Sequence, residues 1–205
     1  MQPFDTLFGL FLDWAMRSPI IARERPAALK DAYGEVLELG FGTGLNLPHY
    51  PSTVTALTVV DPEDLLPDRI EKRIAASRFP VRRIKLGAER LPLDDNTFDC
   101  AVSTFTLCTI PDALAALREV RRVLKPEGSF LFLEHGLSDD ASVAKWQHRL
   151  NPVQKVIARG CNLDRRMDSL IASAGLKVTR LDRFVAADAP RILSSLYRGA
   201  AAASK

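Results

Sequence analysis

The densest chemistry of the chain lies in the nine residues Glu38-Leu39-Gly40-Phe41-Gly42-Thr43-Gly44-Leu45-Asn46. Glycines are required where a chain turns sharply and where its backbone must approach a ligand closely. Their spacing here is GxGxG. A dinucleotide loop follows GxGxxG and sets a pyrophosphate over a helix N-terminus, and a P-loop needs a following lysine that is missing here. Glu38 stands two residues before the first glycine. A carboxylate beside such a loop suits a cationic ligand better than a phosphate, because it balances charge in a partly dry site. Asp61 and Pro62 follow the apolar run Leu57-Thr58-Val59-Val60, with Asp61 seventeen residues after Gly44. An acid at that point can accept both hydroxyls of a ribose, as it also does in nicotinamide-binding folds. A third segment, Gly87-Ala88-Glu89-Arg90-Leu91-Pro92, follows the next candidate strand.

These residues need elements to hold them. Short apolar runs at Val36–Leu39, Leu57–Val60, Val81–Leu86, Phe98–Ser103 and Ser129–Leu133 read as strands. Helical patterns fill the gaps. The clearest spans Asp112–Leu124, with Ala113, Leu114, Leu117, Val120 and Leu124 on one face. Pro111 suits its start, and the Pro126-Glu127-Gly128 turn ends the segment. Alternating strands and helices imply an α/β, Rossmann-like, doubly wound and mostly parallel sheet. Leu176–Asp182 and Ile192–Arg198 are weaker strands that would complete seven, with the last antiparallel. A short Ala-rich tail closes the sequence. Residues 31–205 are expected to form one domain, with 135–166 as an insertion on the substrate side, near the carboxyl ends of the strands.

In this order the motifs resemble class I S-adenosylmethionine (SAM)-dependent methyltransferases. The resemblance runs from about Val36 to Glu134. It includes Phe98-Asp99-Cys100-Ala101-Val102 and Val123-Leu124-Lys125-Pro126-Glu127-Gly128, where the family usually has glycine in place of Glu127. It implies SAM as cofactor, S-adenosylhomocysteine as product, and a cofactor site made of Glu38, Gly40, Gly42, Gly44, Asn46, Asp61, Pro62, Ala88, Glu89, Thr104 and Phe105. SAM carries a sulfonium and an ammonium, which agrees with the acid before the loop.

The acceptor is harder to read. Methyl transfer from a sulfonium needs alignment and, for some acceptors, removal of a proton. His135 is the first general-base candidate and His148 the second, since imidazole titrates near neutrality. Thr104-Phe105-Thr106-Leu107-Cys108, Glu134-His135, Trp146-Gln147 with Asn151-Pro152, and Gly160-Cys161-Asn162-Leu163 resemble the methyltransferase-like family of alkyl thiol methyltransferases. That resemblance implies S-methylation of a small thiol. Gly42–Pro51 also resembles bacterial phospholipid N-methyltransferases, so a phospholipid or quinone acceptor at a membrane surface is the alternative. A SAM-binding protein without catalysis is a further one.

Composition narrows the class. Of 205 residues, 47% are hydrophobic and 26% charged, which is ordinary for a globular domain. A net charge of +3 does not argue for nucleic acid. Cys100, Cys108 and Cys161 have no CxxC spacing, so neither a metal site nor a disulfide framework is indicated, and a cytoplasmic, reducing setting fits. Residues 1–30 are expected to supply an amphipathic helix. Phe4, Leu7, Phe8, Phe11, Leu12 and Ala15 recur at helical spacing, either packed as a lid or, through residues 1–17, touching a membrane surface. Oligomeric state is not encoded in any recognisable pattern.

Overall fold

The computed structural model describes residues 3–187 and 189–203. Seven strands form one sheet: β1 (Gly34–Leu39), β2 (Val54–Val60), β3 (Val81–Ile84), β4 (Phe98–Thr104), β5 (Leu124–His135), β6 (Leu176–Val185) and β7 (Ser195–Ala203), in the order β3-β2-β1-β4-β5-β7-β6. The first five are parallel, and β7 runs antiparallel to both β5 and β6. The chain therefore reverses its winding between β1 and β4, where open α/β sheets bind ligands at the carboxyl edge.

Alternate residues of the strands feed two cores. Leu37, Leu39, Ala101, Phe130 and Phe132 pack with α4 (Ala113–Val123) and α6 (Met167–Ser173) on one face. Val36, Val59, Cys100, Val102 and Leu131 pack with α2 (Pro19–Leu29) and α3 (Pro67–Ala75) on the other. Helix α4 begins where its sequence places a cap: the Asp112 carboxylate accepts the Ala115 N–H at 2.9 Å. The doubly wound, seven-stranded expectation holds.

Four local expectations do not. The Lys125–Gly128 segment lies within β5 as an irregularity, where Phe98 pairs with Leu124 and Cys100 already with Ser129. The Ala-rich tail belongs to β7, since small side chains allow close approach: a Cβ on Gly199 would lie 2.2 Å from the Arg180 carbonyl oxygen. Ile192 sits in a 3-10 turn (Arg191–Leu193) ahead of that strand.

The fourth concerns α1 (Pro3–Ala15). Its expected apolar face points outward, with Leu7 67%, Phe11 60% and Trp14 73% exposed. Phe8 and Leu12 are half-buried, and the Phe4 side chain lies outside the described residues. The inward positions are Gly9 and Asp13. Gly9 lets the helix backbone settle on Leu65 and Leu66, and Asp13 receives the Thr43 hydroxyl, Arg69 at 2.6 Å and Arg73 at 2.8 Å. A buried carboxylate cannot face outward once three donors hold it, so polarity rather than hydrophobicity sets the helix's rotation.

Candidate active site

The glycine loop leaves β1 at Leu39 and turns across the carboxyl edge. Gly40 has φ +71°, and a Cβ there would lie 2.0 Å from the Thr106 hydroxyl oxygen. Gly42 has φ +54°, and nothing lies within 4 Å of where its Cβ would stand. The backbone at Gly42 thus borders open space, as close approach to a ligand requires. Gly44 completes the turn, its N–H bonded to the Phe41 carbonyl.

Glu38 is 1% exposed. Its two carboxylate oxygens accept from Asn46 Nδ2 at 2.7 Å and from the Tyr50 hydroxyl at 2.8 Å. Burial pushes its pKa up to about 7, against these two hydrogen bonds and the nearby Arg25 charge. Glu38 therefore ties the loop down and supplies a negative field. Asn46 extends the network, donating to the Thr104 hydroxyl at 2.9 Å and accepting from Arg25 at 2.6 Å. Arg25 and Tyr50 were not legible as site residues. Arg25 reaches in from α2, is buried, and lies 5.9 Å from the Phe105 ring centroid. Burial lowers its pKa to about 10, which keeps it charged.

Asp61 ends β2 and grips the loop: Oδ2 accepts the Gly42 N–H at 2.7 Å and Oδ1 the Glu63 N–H at 2.9 Å. Burial raises its pKa. A carboxylate accepts about four hydrogen bonds, so capacity for two hydroxyls remains. Pro62 continues from it toward the segment on which α1 rests. Ala88 is buried and Glu89 half-buried on the third segment. Phe105, at φ +54°, is a left-handed non-glycine residue where β4 ends; such strain concentrates at functional sites.

Together these features fit a cationic, ribose-bearing cofactor: an open glycine edge, a buried carboxylate, a ribose-competent acid, and an arginine for a carboxylate group. Helix α1 covers the loop through the Asp13–Thr43 contact. It also reaches the insertion, where the Arg159 guanidinium lies 4.3 Å from the Phe8 ring centroid and 3.7 Å from the Glu63 carboxylate.

A second group of interacting residues lies beyond Phe105, at the carboxyl ends of β4 and β5. Glu134, fully buried at the end of β5, accepts from the Ser103 hydroxyl at 2.7 Å and from the N–H groups of Thr106 and Leu107. Asn162 clamps the same loop by donating its backbone and side-chain N–H groups to the Cys108 carbonyl, each at 2.8 Å. These anchors bring three residues together. His135 Nε2 lies 3.5 Å from Cys161 Sγ, which lies 3.6 Å from Cys108 Sγ. The sequence spacing indicated no such grouping, because the three come from separate segments: the loop after β4, the end of β5 and the turn after α5 (Ala141–Ile157). Burial alone would lower the His135 pKa, but the Cys161 bond and the Glu134 charge leave it raised.

His148 is not part of this arrangement. It is exposed on α5 (Ala141–Ile157), with Nδ1 3.2 Å from the Asp164 carboxylate. Trp146 is exposed too, and the inward residue of that turn is Gln147, which bonds Ser138, Gly136 and Ile192 backbone atoms.

Residues 37–132 match the methyltransferase domain family. The chain is 34% identical over 169 residues to thiol S-methyltransferase TMT1B of Rattus norvegicus, covering 78% of this chain and 69% of that protein. It is 29% identical to phosphatidylethanolamine N-methyltransferase of Cereibacter sphaeroides, covering 76% of this chain and 77% of that protein. A SAM-dependent methyltransferase from Thermotoga maritima, titled a possible histamine N-methyltransferase, superposes with a TM-score of 0.70 over 98% of each chain at 19% identity, a likeness of fold. Loop, acids, sheet order and sequence relationship agree, and the chain belongs to the class I SAM-dependent methyltransferases.

Proposed function

We propose that this methyltransferase acts on the sulfur of a small thiol and leaves S-adenosylhomocysteine as product. The observation that carries this reading is the lining of the acceptor side. Cys108, His135 and Cys161 present two sulfurs and one imidazole, a soft and weakly polar surface that suits a thiol. The relationship to a thiol S-methyltransferase over most of the chain points the same way.

The bound cofactor supplies an electrophilic methyl group on sulfur. The chain's own residues do the rest. Arg25 and Asn46 orient the charged amino-acid end, Asp61 and the glycine loop fix the ribose end, and α1 keeps water out.

A membrane-surface setting is supported by a separate feature. The outward ridge of α1 (Leu7, Leu10, Phe11, Trp14) and the exposed Trp146, Val153, Val156 and Ile157 of α5 flank the same edge. No described helix is long and apolar enough to cross a membrane. Such ridges suit peripheral contact with a lipid interface, from which an apolar thiol or a phospholipid could be taken.

A panel of small alkyl and aryl thiols, phosphatidylethanolamine and a quinol, assayed by S-adenosylhomocysteine release, tests the acceptor. Transfer to thiols is expected. Transfer to lipid alone overturns the thiol reading in favour of the phospholipid one. Tight SAM binding without any transfer supports a binding-only protein. Flotation with anionic vesicles, comparing wild type with a Leu7→Ser/Phe11→Ser/Trp14→Ser variant, tests the surface contact; equal flotation of both removes it.

A further inference from the structure

We propose that Cys108, His135 and Cys161 form a three-ligand site for a thiophilic divalent cation such as Zn²⁺, whose fourth position takes the sulfur of the acceptor. The second half rests on the thiol reading above; the first half does not.

Two of the three edges of the cluster match the ion. Zinc binds thiolate at about 2.3 Å and imidazole at about 2.0–2.1 Å, so a tetrahedral site has S–S edges of about 3.8 Å and S–N edges of about 3.6 Å. The observed Cys108–Cys161 and Cys161–His135 separations are 3.6 Å and 3.5 Å. All three ligand atoms lie within 4.8 Å of one another. Two sulfurs and one imidazole are also the donor set that selects zinc over magnesium or calcium.

The surroundings make the cluster rigid. Cys108 is held through its carbonyl by Asn162, and His135 follows Glu134, whose carboxylate ties Ser103, Thr106 and Leu107. Cys108 and His135 are buried, whereas Cys161 is partly exposed, so the group has one open side. Structural zinc sites close with four protein ligands; sites that do chemistry keep three and leave a position free. A chance packing of two cysteines and a histidine needs no such anchoring of three separate segments.

The cation also solves a chemical problem. A thiol is a poor nucleophile until it loses its proton, and His135 Nε2 faces Cys161 rather than open space. Metal binding displaces the protons of Cys108 and Cys161 to solvent. The acceptor thiol then binds as thiolate, its proton also leaving to solvent. Its sulfur forms the new S–CH₃ bond while the bond between the methyl carbon and the sulfonium breaks. The electron pair of that broken bond stays on the cofactor sulfur, which becomes a neutral thioether, and the methylated thioether product dissociates from the cation.

The test uses the full chain, stripped of metal by a chelator and kept reduced by a phosphine. Co²⁺ is the probe. One equivalent is expected to bind with thiolate-to-cobalt charge-transfer absorption and tetrahedral ligand-field bands, and Zn²⁺ should displace it. Cys161→Ala and His135→Ala should weaken binding at least about 100-fold, while Cys100→Ala, inside the sheet, keeps the spectrum. In wild type, Zn²⁺ should protect Cys161 from alkylation, a readout that does not depend on any variant folding. A small alkyl thiol should shift the cobalt bands. Absence of stoichiometric binding, or binding unchanged in Cys161→Ala, overturns the site. Bands that no thiol moves overturn the open position. Full thiol methylation by metal-free protein that binds no cobalt sinks this inference and leaves the thiol reading standing. Cobalt binding by a protein that methylates no thiol does the reverse.

Discussion

Glu38 should make SAM binding depend on pH near neutrality, a range in which ordinary surface carboxylates are already fully ionised. Its carboxyl group is buried and its pKa stands at about 7, against 4.5 unperturbed. The ionised form is the one that attracts a sulfonium and an ammonium. Apparent affinity then scales with the ionised fraction. At pH about 6 that fraction is about one in eleven, at pH about 7 about one half, and at pH about 7.5 about three quarters. Calorimetry should therefore show the SAM dissociation constant falling about eightfold between pH about 6 and 7.5, with proton release measurable by buffer ionisation heats. Glu38→Gln should bind more weakly at the upper end and lose the slope. The ligand-free protein gives the matching sign. A folded pKa above the unfolded one means that the folded state holds an extra proton, so stability is greatest below about pH 4.5 for this group and is lost as pH rises to about 7. A flat affinity profile in wild type, or the same slope in Glu38→Gln, would refute the reasoning and move the titration to another group such as Asp61.

Three further outcomes follow from the geometry. Gly40→Ala should destabilise by about 3 kcal/mol, from a left-handed backbone and a collision with Thr106, whereas Gly42→Ala should cost only about 1 kcal/mol yet weaken SAM binding, because its methyl enters the cleft; paired thermal melts and titrations separate the two. Gln147→Leu strands one N–H and two carbonyls at the base of the insertion, and should lower the urea midpoint by an amount equivalent to about 3 kcal/mol. Asp13→Asn should loosen α1 without unfolding the domain, read as roughly tenfold faster amide exchange confined to residues 6–16.

The alternation of strands and helices and the cofactor loop were readable because each rests on local pattern. A glycine with positive φ, an acid at a strand end and an apolar run of five residues leave their mark within a few positions. Asp112 capping α4 is of the same kind. What escaped depends on distant partners. Arg25 carries no motif; it matters because α2 carries it to Asn46. Cys108, His135 and Cys161 are separated by 27 and 26 residues and meet only when the loop after β4, the end of β5 and the insertion are folded. Helix α1 shows the limit of periodicity, which counted its apolar residues correctly but could not weigh them against one buried aspartate. His148 fell to the same problem: its neighbour Gln147, not the histidine, is the residue that turns inward.

The place of β7 has a consequence for synthesis. It is inserted between β5 and β6, and β6 has no other neighbour in the sheet. During translation β6 is made before the strand that must pair with it, and the free edge of β5 waits as well. Both offer unpaired backbone to other nascent chains in that interval. The charged side chains of β6 (Lys177, Arg180, Asp182, Arg183), all exposed, disfavour such pairing while the gap is open. The small residues from Gly199 onward then let the late strand slide into a slot already bounded on both sides. The domain is thus a keystone assembly, in which nascent chains halted before residue 195 should be the ones that chaperones hold.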